Sequence, residues 1–323
     1  MKAAVVTESG VRVAEVPTPR PKPEEVLVRV RAASLNRADL AVAAGQSHGR
    51  VGGVGTVVGM EFAGEVAEVG TAVRGIRPGD RVMASGAGGY AEYAVADMGR
   101  VLPIPDRNMS EVEAATLPVA LQTMHDAVVT NGRLAPGEAV LVQGASSGVG
   151  LMAMQIAKLK GARLVIGSST SAARRAKLGE YGADLAIDTK AADWPERVLE
   201  ATGGKGVELV VDQISGSVAN GNLQAAAILG RIVNVGRLGG ARGEFDFDLH
   251  ALRRISYVGV TFRTRSVEEV REIVRRMRAD LWEAVEAGTL RLPLDRTFPL
   301  DEVAEALARM RANEHFGKIV LTA

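Results

Sequence analysis

Apolar residues in the second half of the chain fall into short runs separated by segments with helical spacing. Runs this short are typical of buried strands, and the longer segments between them are typical of helices. Because strands that alternate with helices form a parallel sheet covered on both faces, we predict a doubly wound α/β fold here. The predicted strands are 139–142, 163–166, 185–187, 207–212, 231–235 and 255–260, and the predicted helices are 121–129, 172–179, 194–201 and 217–229, with one more that ends near 159.

The first 118 residues follow a different pattern, rich in glycine and in strand-like alternation. Residues 26–31 alternate like a half-buried strand, and 64–70 and 79–84 resemble strands entered through glycine turns. Four prolines between 17 and 23 predict an extended connection rather than a helix. We therefore expect a compact, barrel-like all-β domain.

The last part of the chain predicts an amphipathic helix that starts near Ser266, a second helix at 301–311 and a closing strand at 318–321. The basic face of the first helix is predicted to be solvated and paired with glutamates, since a charged helix face is seldom a nucleic-acid surface. Its arginines are Arg271, Arg275, Arg276 and Arg278, and its glutamates are Glu268, Glu269 and Glu272.

A glycine turn, with Gly144, Gly148 and Gly150, joins the strand at 139–142 to the helix that ends near 159. A helix that begins at such a turn directs unpaired backbone N–H groups and the positive end of its dipole outward. Both features favour a bound phosphate. The turn is our candidate site for the pyrophosphate of a dinucleotide.

The same turn also fits the G-x-S-x-G nucleophile elbow of hydrolases, with Ser146 as the nucleophile. That interpretation needs a later histidine, and His250 and His315 are available, but no His-Gly-Gly-type loop precedes the strand. Only the dinucleotide interpretation explains Gly150, where close helix packing leaves no room for a side chain. A glycine turn without any ligand is the third possibility.

Composition narrows the function classes further. The 323 residues are enough for about two domains, and a net charge of +1 gives no bulk attraction to nucleic acid or membrane. No cysteine is present, which excludes disulfides, thiolate zinc sites and cysteine nucleophiles, and the four histidines are too scattered to predict a metal site. No apolar stretch reaches spanning length or resembles a signal peptide, so we expect a cytoplasmic protein.

The residues after the second strand of the α/β part predict the cofactor. NAD-binding versions of this fold place an acidic residue about 20 residues past the turn, on the adenosine ribose. Here Ser168 and Ser169 end the strand, and no acid follows until Glu180. Hydroxyl and basic side chains suit a 2′-phosphate instead, which favours NADPH over NADH. The alternative is a helix with merely solvated basic residues, which are Arg174, Arg175 and Lys177.

Several short motifs in one order resemble the zinc-independent quinone oxidoreductases of the medium-chain dehydrogenase/reductase superfamily, in particular the p53-inducible and zeta-crystallin-like group. The resemblance covers essentially the whole chain. Its motifs are ASLNRAD at 33–39, GMEFAG at 59–64, GDRV at 79–82, GGYAEY at 88–93, the glycine turn with Gln155 and Lys158, and HFGKIVL at 315–321.

This resemblance implies a GroES-like, β-rich catalytic domain at 1–118, completed by 263–323, and a Rossmann cofactor domain at 119–262. It also implies an active-site cleft between the domains and a homodimer joined through the cofactor domains. Zinc-containing relatives carry a Cys and a His immediately before the position of Glu61, whereas Met60 stands in the histidine position here. Without that Lewis acid, alcohol oxidation is disfavoured, and hydride transfer to a quinone or another electron-poor conjugated carbonyl remains.

Carried over by position, the resemblance implies roles for ten residues. Asn36 and Thr123 are placed beside the nicotinamide and substrate, Ser168 and Arg174 at the 2′-phosphate. Asn36 could instead hold a turn, and Thr123 could cap a helix. The remaining implied cofactor contacts are Ser147, Gly148, Val149 and Gly150 at the pyrophosphate, and Val235 and Gly236 at the nicotinamide, although Gly236 could instead only permit a bend.

Other residues near these motifs are assigned structural roles, and the identity of the proton donor stays open. Glu61 is predicted to be a structural ion-pair partner and His125 a packing residue, while water or His48 would donate the proton. Ser147 replaces the family's middle glycine, adding a hydroxyl donor that crowds the phosphate. Thr189 replaces a tyrosine of many relatives, and the tyrosine commonly found past Asn36 is missing, so the acceptor need not be a simple quinone.

These inferences converge on an NADPH-dependent reductase of a small quinone or conjugated carbonyl. Two alternatives stay open. One is reduction of an enoyl or alkenal double bond on the same scaffold, which differs only in the acceptor. The other is a non-catalytic, NADPH-responsive binding protein.

Overall fold

The structure is a computed structural model, and it describes residues 1–47, 49, 51–106 and 109–323. The chain forms two compact units. The first combines Met1–Ala120 with Phe262–Ala323, and the second is Leu121–Thr261. The predicted α/β class, a GroES-like β-rich part plus a parallel-sheet Rossmann part, is confirmed.

The strands are numbered β1 to β15 in chain order. Their bounds are β1 Lys2–Thr7, β2 Gly10–Glu15, β3 Glu25–Ser34, β4 Glu61–Val69, β5 Arg81–Ser85, β6 Tyr93–Asp97, β7 Val101–Pro103, β8 Ala139–Gln143, β9 Leu164–Ser168, β10 Leu185–Ile187, β11 Val207–Asp212, β12 Ala226–Asn234, β13 Ser256–Gly259, β14 Leu294–Pro299 and β15 Lys318–Thr322.

The α-helices are numbered α1 to α10 in the same way. Their bounds are α1 Asp39–Ala43, α2 Glu111–Ala114, α3 Pro118–His125, α4 Gly148–Leu159, α5 Ala172–Arg175, α6 Trp194–Ala201, α7 Ala219–Ala225, α8 Phe247–Arg253, α9 Val267–Glu286 and α10 Val303–Ala312. A π-helical segment, Asp126–Asn131, continues α3.

The first unit is built on a seven-stranded sheet in the order β14-β15-β3-β4-β5-β7, with β6 also paired to β3. Strand β3 alternates as the sequence predicts: Val28 and Val30 are buried while Arg29 and Arg31 are exposed. The carboxy-terminal strand β15 pairs antiparallel with β3, so the end of the chain completes this sheet. Strands β1 and β2 form a separate antiparallel pair.

Helix α9 starts at Ser266, whose side chain and that of Glu269 form a capping box. Its basic face differs from the prediction in one respect. Arg275 and Arg276 pair with Glu272 on the exposed face as expected. The other two arginines do not pair with glutamates of the same helix. Arg271 binds Glu24 and Asp97 of the first unit, and Arg278 lies over the ring of Trp282.

The second unit is a six-stranded parallel sheet in the order β10-β9-β8-β11-β12-β13. The chain proceeds outward from β8 to β10, then returns to β11 beside β8 and proceeds to the other edge. The strand order therefore reverses between β8 and β11, and that reversal is the switch point at which such sheets bind ligands. Every residue of β8 is buried, as the continuous apolar run requires.

Two predicted helices of this unit are wrong in extent. The helix predicted at 217–229 is only α7, because Ala226 is extended and pairs with Val207, and Leu229 has a left-handed φ of 64° that no α-helix accommodates. The helix predicted at 172–179 breaks after α5, and a separate 3₁₀ turn, Leu178–Tyr181, follows.

Helix α8 and strands β1, β2, β6, β7 and β14 were not predicted.

Candidate cofactor and active site

The turn after β8 brings the first turn of α4 against its own start. Gly144 has a left-handed φ of 68°. A Cβ atom at Gly150 would lie 2.6 Å from the carbonyl oxygen of Gly144 and 2.7 Å from Cα of Ala145, distances that side-chain carbons do not adopt. Position 150 therefore accepts only glycine, for the close-packing reason that the dinucleotide interpretation proposes.

Ser147 is the N-cap of α4. Its Oγ accepts the N–H of Gly150 at 3.1 Å and lies 2.9 Å from both the Gly144 carbonyl oxygen and Oε1 of Gln213. The hydroxyl thus accepts from one helix N–H group that a glycine at position 147 would leave open. Within the described part of the chain, the N–H groups of Gly148 and Val149 donate to no other residue. These two N–H groups and the helix dipole remain for an anion.

Ser168, which we predicted at the 2′-phosphate, is buried and engaged by the protein itself. Its hydroxyl donates to Oε1 of Gln143 at 2.6 Å and accepts the N–H of Gly144 at 3.0 Å. Since a hydroxyl has one proton, that donor is already used. The side chain fastens the glycine turn to the end of β9, and this placement does not favour a phosphate contact.

The hydrolase interpretation receives no support from Ser146. Its Oγ lies 3.0 Å from Oγ of Ser169, and no histidine of the described residues makes a hydrogen bond to it. A serine nucleophile needs a base within hydrogen-bond reach. Ser146 therefore lacks the partner that the elbow requires.

A buried polar network continues from the turn across the sheet. Nε2 of Gln143 donates to Oδ1 of Asn222 at 2.7 Å, and Nδ2 of Asn222 donates to Oδ2 of Asp212 at 3.0 Å. The Asp212 carboxylate also accepts the N–H groups of Ile214 and Ser215. Burial raises the pKa of Asp212, and these hydrogen bonds oppose that rise. The network holds the carboxyl ends of β8, β9 and β11 in register.

We did not predict the roles of Gln143, Asp212 and Asn222. A signal was present for two of them, because Gln143 and Asp212 are polar residues that directly end buried apolar strands. Asn222 lies on α7, 79 residues from Gln143 and 10 from Asp212, and no motif spacing links the three.

The basic residues after β9 have unequal surroundings. The guanidinium of Arg175 donates to the Ser169 carbonyl oxygen at 2.7 Å and to Asp188 at 2.8 Å, so its charge is balanced within the protein. Arg174 lies half-buried on α5, and Lys177 follows it in an exposed position.

Val235 and Gly236 follow β12 at the same edge of the sheet, and their N–H groups donate to the carbonyl oxygen of Asp212. A Cβ at Gly236 would lie 2.6 Å from the carbonyl oxygen of Gln213, so glycine is required for close approach rather than for a bend. Thr123 lies half-buried in α3, just before the π-helical segment. π-Helical turns are frequent at functional sites.

In the first unit, Asn36 belongs to a buried polar cluster. Its Nδ2 donates to Oε1 of Glu61 at 2.9 Å, and its Oδ1 accepts from Nζ of Lys318 at 3.0 Å. Nζ of Lys318 also lies 2.7 Å from Oε1 of Glu61, and both charged side chains are buried. The prediction that Glu61 is an ion-pair partner is thereby confirmed.

A second buried carboxyl lies beside Asn36. Oδ2 of Asp39 accepts the Asn36 N–H at 2.7 Å and the Tyr90 hydroxyl at 2.6 Å. Burial raises the pKa of Asp39 to about 7, although these hydrogen bonds and the nearby Lys318 lower it. The pKa of Tyr90 is raised by its own burial and by Asp39.

The remaining predictions concern His48, metal sites, membrane-spanning helices and His125. His48 is not among the described residues, so its proposed proton transfer stays a prediction. Among the residues that are described, no three His, Cys, Asp or Glu side chains group as a metal site, and no helix is long and apolar enough to cross a membrane. His125 is buried in α3, as a packing role requires.

The raised pKa of Asp39 predicts a pH-dependent stability. Because this carboxyl holds its proton up to about pH 7 when folded but only to about pH 4 when unfolded, its contribution is full below pH 4 and is lost as pH rises to 7. Replacing Asp39→Asn should remove a slope of at most about 1.4 kcal/mol per pH unit. Urea unfolding of both proteins at pH 5, 6, 7 and 8 measures it.

In that series the wild-type midpoint should fall relative to the variant as the pH rises. A constant difference between the two proteins across the series would contradict the assignment to Asp39.

Two sequence families match the chain. Residues 22–106 match the alcohol dehydrogenase GroES-like domain, and residues 148–279 match the family described as zinc-binding dehydrogenase. The second match begins at the end of the glycine turn and spans α4, strands β9 to β13 and part of α9.

Curated relatives of two kinds are similar to the chain. Quinone oxidoreductase-like protein 2 of Bos taurus is 30% identical over 96% of this chain and 88% of that protein. A phenolphthiocerol/phthiocerol polyketide synthase polypeptide of Mycobacterium tuberculosis is 33% identical over 97% of this chain. The chain spans only 14% of the length of that synthase polypeptide.

Solved structures agree over the full length. Mycobacterial Rv1454c complexed with NADPH is 27% identical, with both chains fully covered and a TM-score of 0.89. The CurK enoyl reductase is 25% identical, with 99% of each chain covered and a TM-score of 0.87. The glycine turn at the switch point and the GroES-like sheet agree with these matches. The chain belongs to the medium-chain dehydrogenase/reductase superfamily, among its zinc-independent, quinone oxidoreductase-like members.

Proposed function

We propose that the protein is an NADPH-dependent reductase that transfers hydride to a quinone or a similar conjugated carbonyl. The observation that carries the proposal is the glycine turn after β8. There, α4 leaves the N–H groups of Gly148 and Val149 open, and the required glycine at 150 brings the helix close to the strand end. This arrangement suits the pyrophosphate of a dinucleotide.

The preference for NADPH rests on the end of β9. No carboxylate follows Ser168 and Ser169 until Glu180, so the acid that NAD-binding versions of this fold place on the ribose hydroxyls is missing at the end of β9. Arg174 and Lys177 offer positive charge to a 2′-phosphate. The likeness to mycobacterial Rv1454c, which was solved with NADPH, supports the same cofactor.

In this proposal Asn36 contacts the acceptor. When bound, the reduced nicotinamide supplies the hydride. Asn36 donates an N–H, and such a donor stabilises the negative charge that a carbonyl oxygen gains as hydride arrives. The proton that completes the reduction comes from water in this proposal.

Reduction of an enoyl double bond is the second candidate. The full-length likeness to the CurK enoyl reductase and to a segment of a polyketide synthase favours it. An enoyl thioester also carries a conjugated carbonyl, so the same amide donor would serve. The acceptor alone separates the two functions.

We also propose that two copies of the chain associate through the β13 edge. Within the described part of the chain, no strand pairs with the outer side of β13. Exposed apolar side chains adjoin this edge: Phe247 and Leu252 on α8, Ile228 and Leu229 on β12, and Tyr257 on β13. An open strand edge, together with exposed apolar side chains on the same unit, is suited to pairing with a second copy, edge to edge.

The function is tested by cofactor oxidation. Purified protein is mixed with NADPH or NADH and with a panel of para- and ortho-quinones, alkenals and enoyl thioesters, and absorbance at the nicotinamide band is followed. We expect NADPH oxidation that depends on a quinone. A clear preference for enoyl thioesters would select the second candidate, and no binding of either nucleotide would contradict both.

Replacing Arg174→Glu should raise the KM for NADPH about 10- to 100-fold, because a charge-assisted hydrogen bond to the 2′-phosphate is lost. The KM for NADH should change little. Arg197→Glu is the matched control, since Arg197 is exposed on α6 in the same unit and receives the same charge change. Equal effects of Arg174→Glu on both nucleotides would remove the 2′-phosphate assignment.

The dimer proposal is tested by changing Phe247→Asp together with Leu252→Asp. The wild-type protein should have the mass of a dimer by light scattering after size exclusion, and the variant should have the mass of a monomer. Val54→Asp is the control, because Val54 is similarly exposed but lies in the first unit. A wild-type monomer, or a variant that stays dimeric, would contradict the proposal.

A further inference from the structure

The orientation of the Asn36 amide is determined by the chemistry of its neighbours. An asparagine side chain has one accepting and one donating end, and these usually exchange by a simple flip. Here the ammonium of Lys318 can only donate hydrogen bonds, and the carboxylate of Glu61 can only accept them. A flipped amide would direct its oxygen at Glu61 and its NH₂ group at Lys318. Only one orientation is therefore compatible with the cluster.

The sheet topology brings the three residues together. Asn36 follows the end of β3, and Glu61 and Lys318 begin β4 and β15. Because both strands run antiparallel to β3 on either side of it, their first residues lie beside its end. The backbone of Asn36 is also held, since its N–H donates to Asp39 at 2.7 Å.

The Glu61–Lys318 pair is fully satisfied. Nζ of Lys318 donates to Glu61 at 2.7 Å and to Asn36 and the Leu35 carbonyl oxygen at 3.0 Å each. Oε2 of Glu61 accepts the N–H of Val119 at 2.8 Å. A buried ion pair adds little net stability over apolar residues of equal size, but a fully satisfied network is rigid. Rigidity at Asn36 is what this pair provides.

One N–H of the Asn36 amide remains weakly engaged. The first Nδ2 hydrogen is used by Glu61, and the nearest further acceptor is the Ser34 carbonyl oxygen at 3.5 Å, the outer limit of a hydrogen bond. Asn36 itself is half-buried rather than buried. The oxygen, by contrast, is occupied by Lys318.

We propose that Glu61 and Lys318 are positioning residues that lock the Asn36 amide so that it presents an N–H, and never its oxygen, to the acceptor. The inference rests on the proposed function and narrows its substrate class. The acceptor must offer a lone pair at that point, as the carbonyl oxygen of a quinone or enone does. A substrate that presents a hydroxyl or amide proton there has no matching acceptor.

The test is a cycle of variants that leaves no unpaired buried charge. Glu61→Gln with Lys318→Met removes both charges at similar volume, and Asn36→Ala removes the amide. Each should lower kcat for quinone reduction about 10- to 100-fold, because the donor is lost or misplaced, with the Kd for NADPH unchanged. The triple variant should be no slower than Asn36→Ala alone, since the pair acts only through Asn36.

A matched control separates positioning from stability. Arg81→Met with Glu111→Gln removes another ion pair of the same unit, with Nε and Oε1 2.9 Å apart. This variant should lower Tm and leave kcat unchanged. If it lowers kcat as much as the Glu61 and Lys318 changes do, the positioning role is wrong.

A second measurement does not depend on turnover. The side-chain amide of Asn36, identified in a ¹H–¹⁵N spectrum by its loss in Asn36→Ala, should give two separate, slowly exchanging proton signals in the wild type. In the Glu61→Gln, Lys318→Met protein these signals should broaden and exchange faster. Unchanged signals, or additive losses of kcat in the triple variant, would overturn the inference. Full turnover by Asn36→Ala would instead contradict the proposed role of Asn36 in the function.

Discussion

The second unit depends on the contact between the first turn of α4 and the carbonyl of Gly144, at which a single methyl group would not fit. This close approach would be of little use if the turn could move. On one side, the Ser168 hydroxyl accepts the N–H of Gly144 in the turn. On the other, Ser147 caps the first turn of α4. From Gln143 the network continues through Asn222 to Asp212. The turn that carries the open N–H groups of α4 is thus fixed by a hydrogen-bond network that includes residues of three strands, β8, β9 and β11.

The sequence alone predicted the architecture because its signals are local. Short, mostly apolar runs predicted β10 and β11 with their observed bounds, and a segment between them predicted α6 with its observed bounds. Errors occurred where long-range pairing overrides local propensity. Ala226 to Leu229 have helix-compatible composition, but Ala226 pairs with Val207 of β11 and Leu229 has a left-handed φ of 64°.

The candidate site was also predicted only where its signals are local in the sequence. Glycines mark the turn directly, whereas the partners of Asn36 lie 25 and 282 residues away and are joined only by the sheet. Ser168 shows the opposite limit. Its position at the end of the second strand was predicted from the pattern, but its role was not, because a hydroxyl can bond a phosphate or a neighbouring glutamine equally well.

The buried cluster also explains how a carbonyl could be activated without zinc. Zinc-containing relatives place a cysteine and a histidine just before the position of Glu61, and Met60 with the absence of cysteine removes those ligands from this chain. Glu61 is then balanced by the ammonium of Lys318, which is buried and hydrogen-bonded on all sides. That charge is directed at the protein and not at a substrate. Within the described cluster, what Asn36 would offer to the proposed acceptor is a neutral N–H, and such a donor is much weaker than a metal ion. An acceptor that is already electron-poor, such as a conjugated carbonyl, is therefore the chemistry this cluster suits.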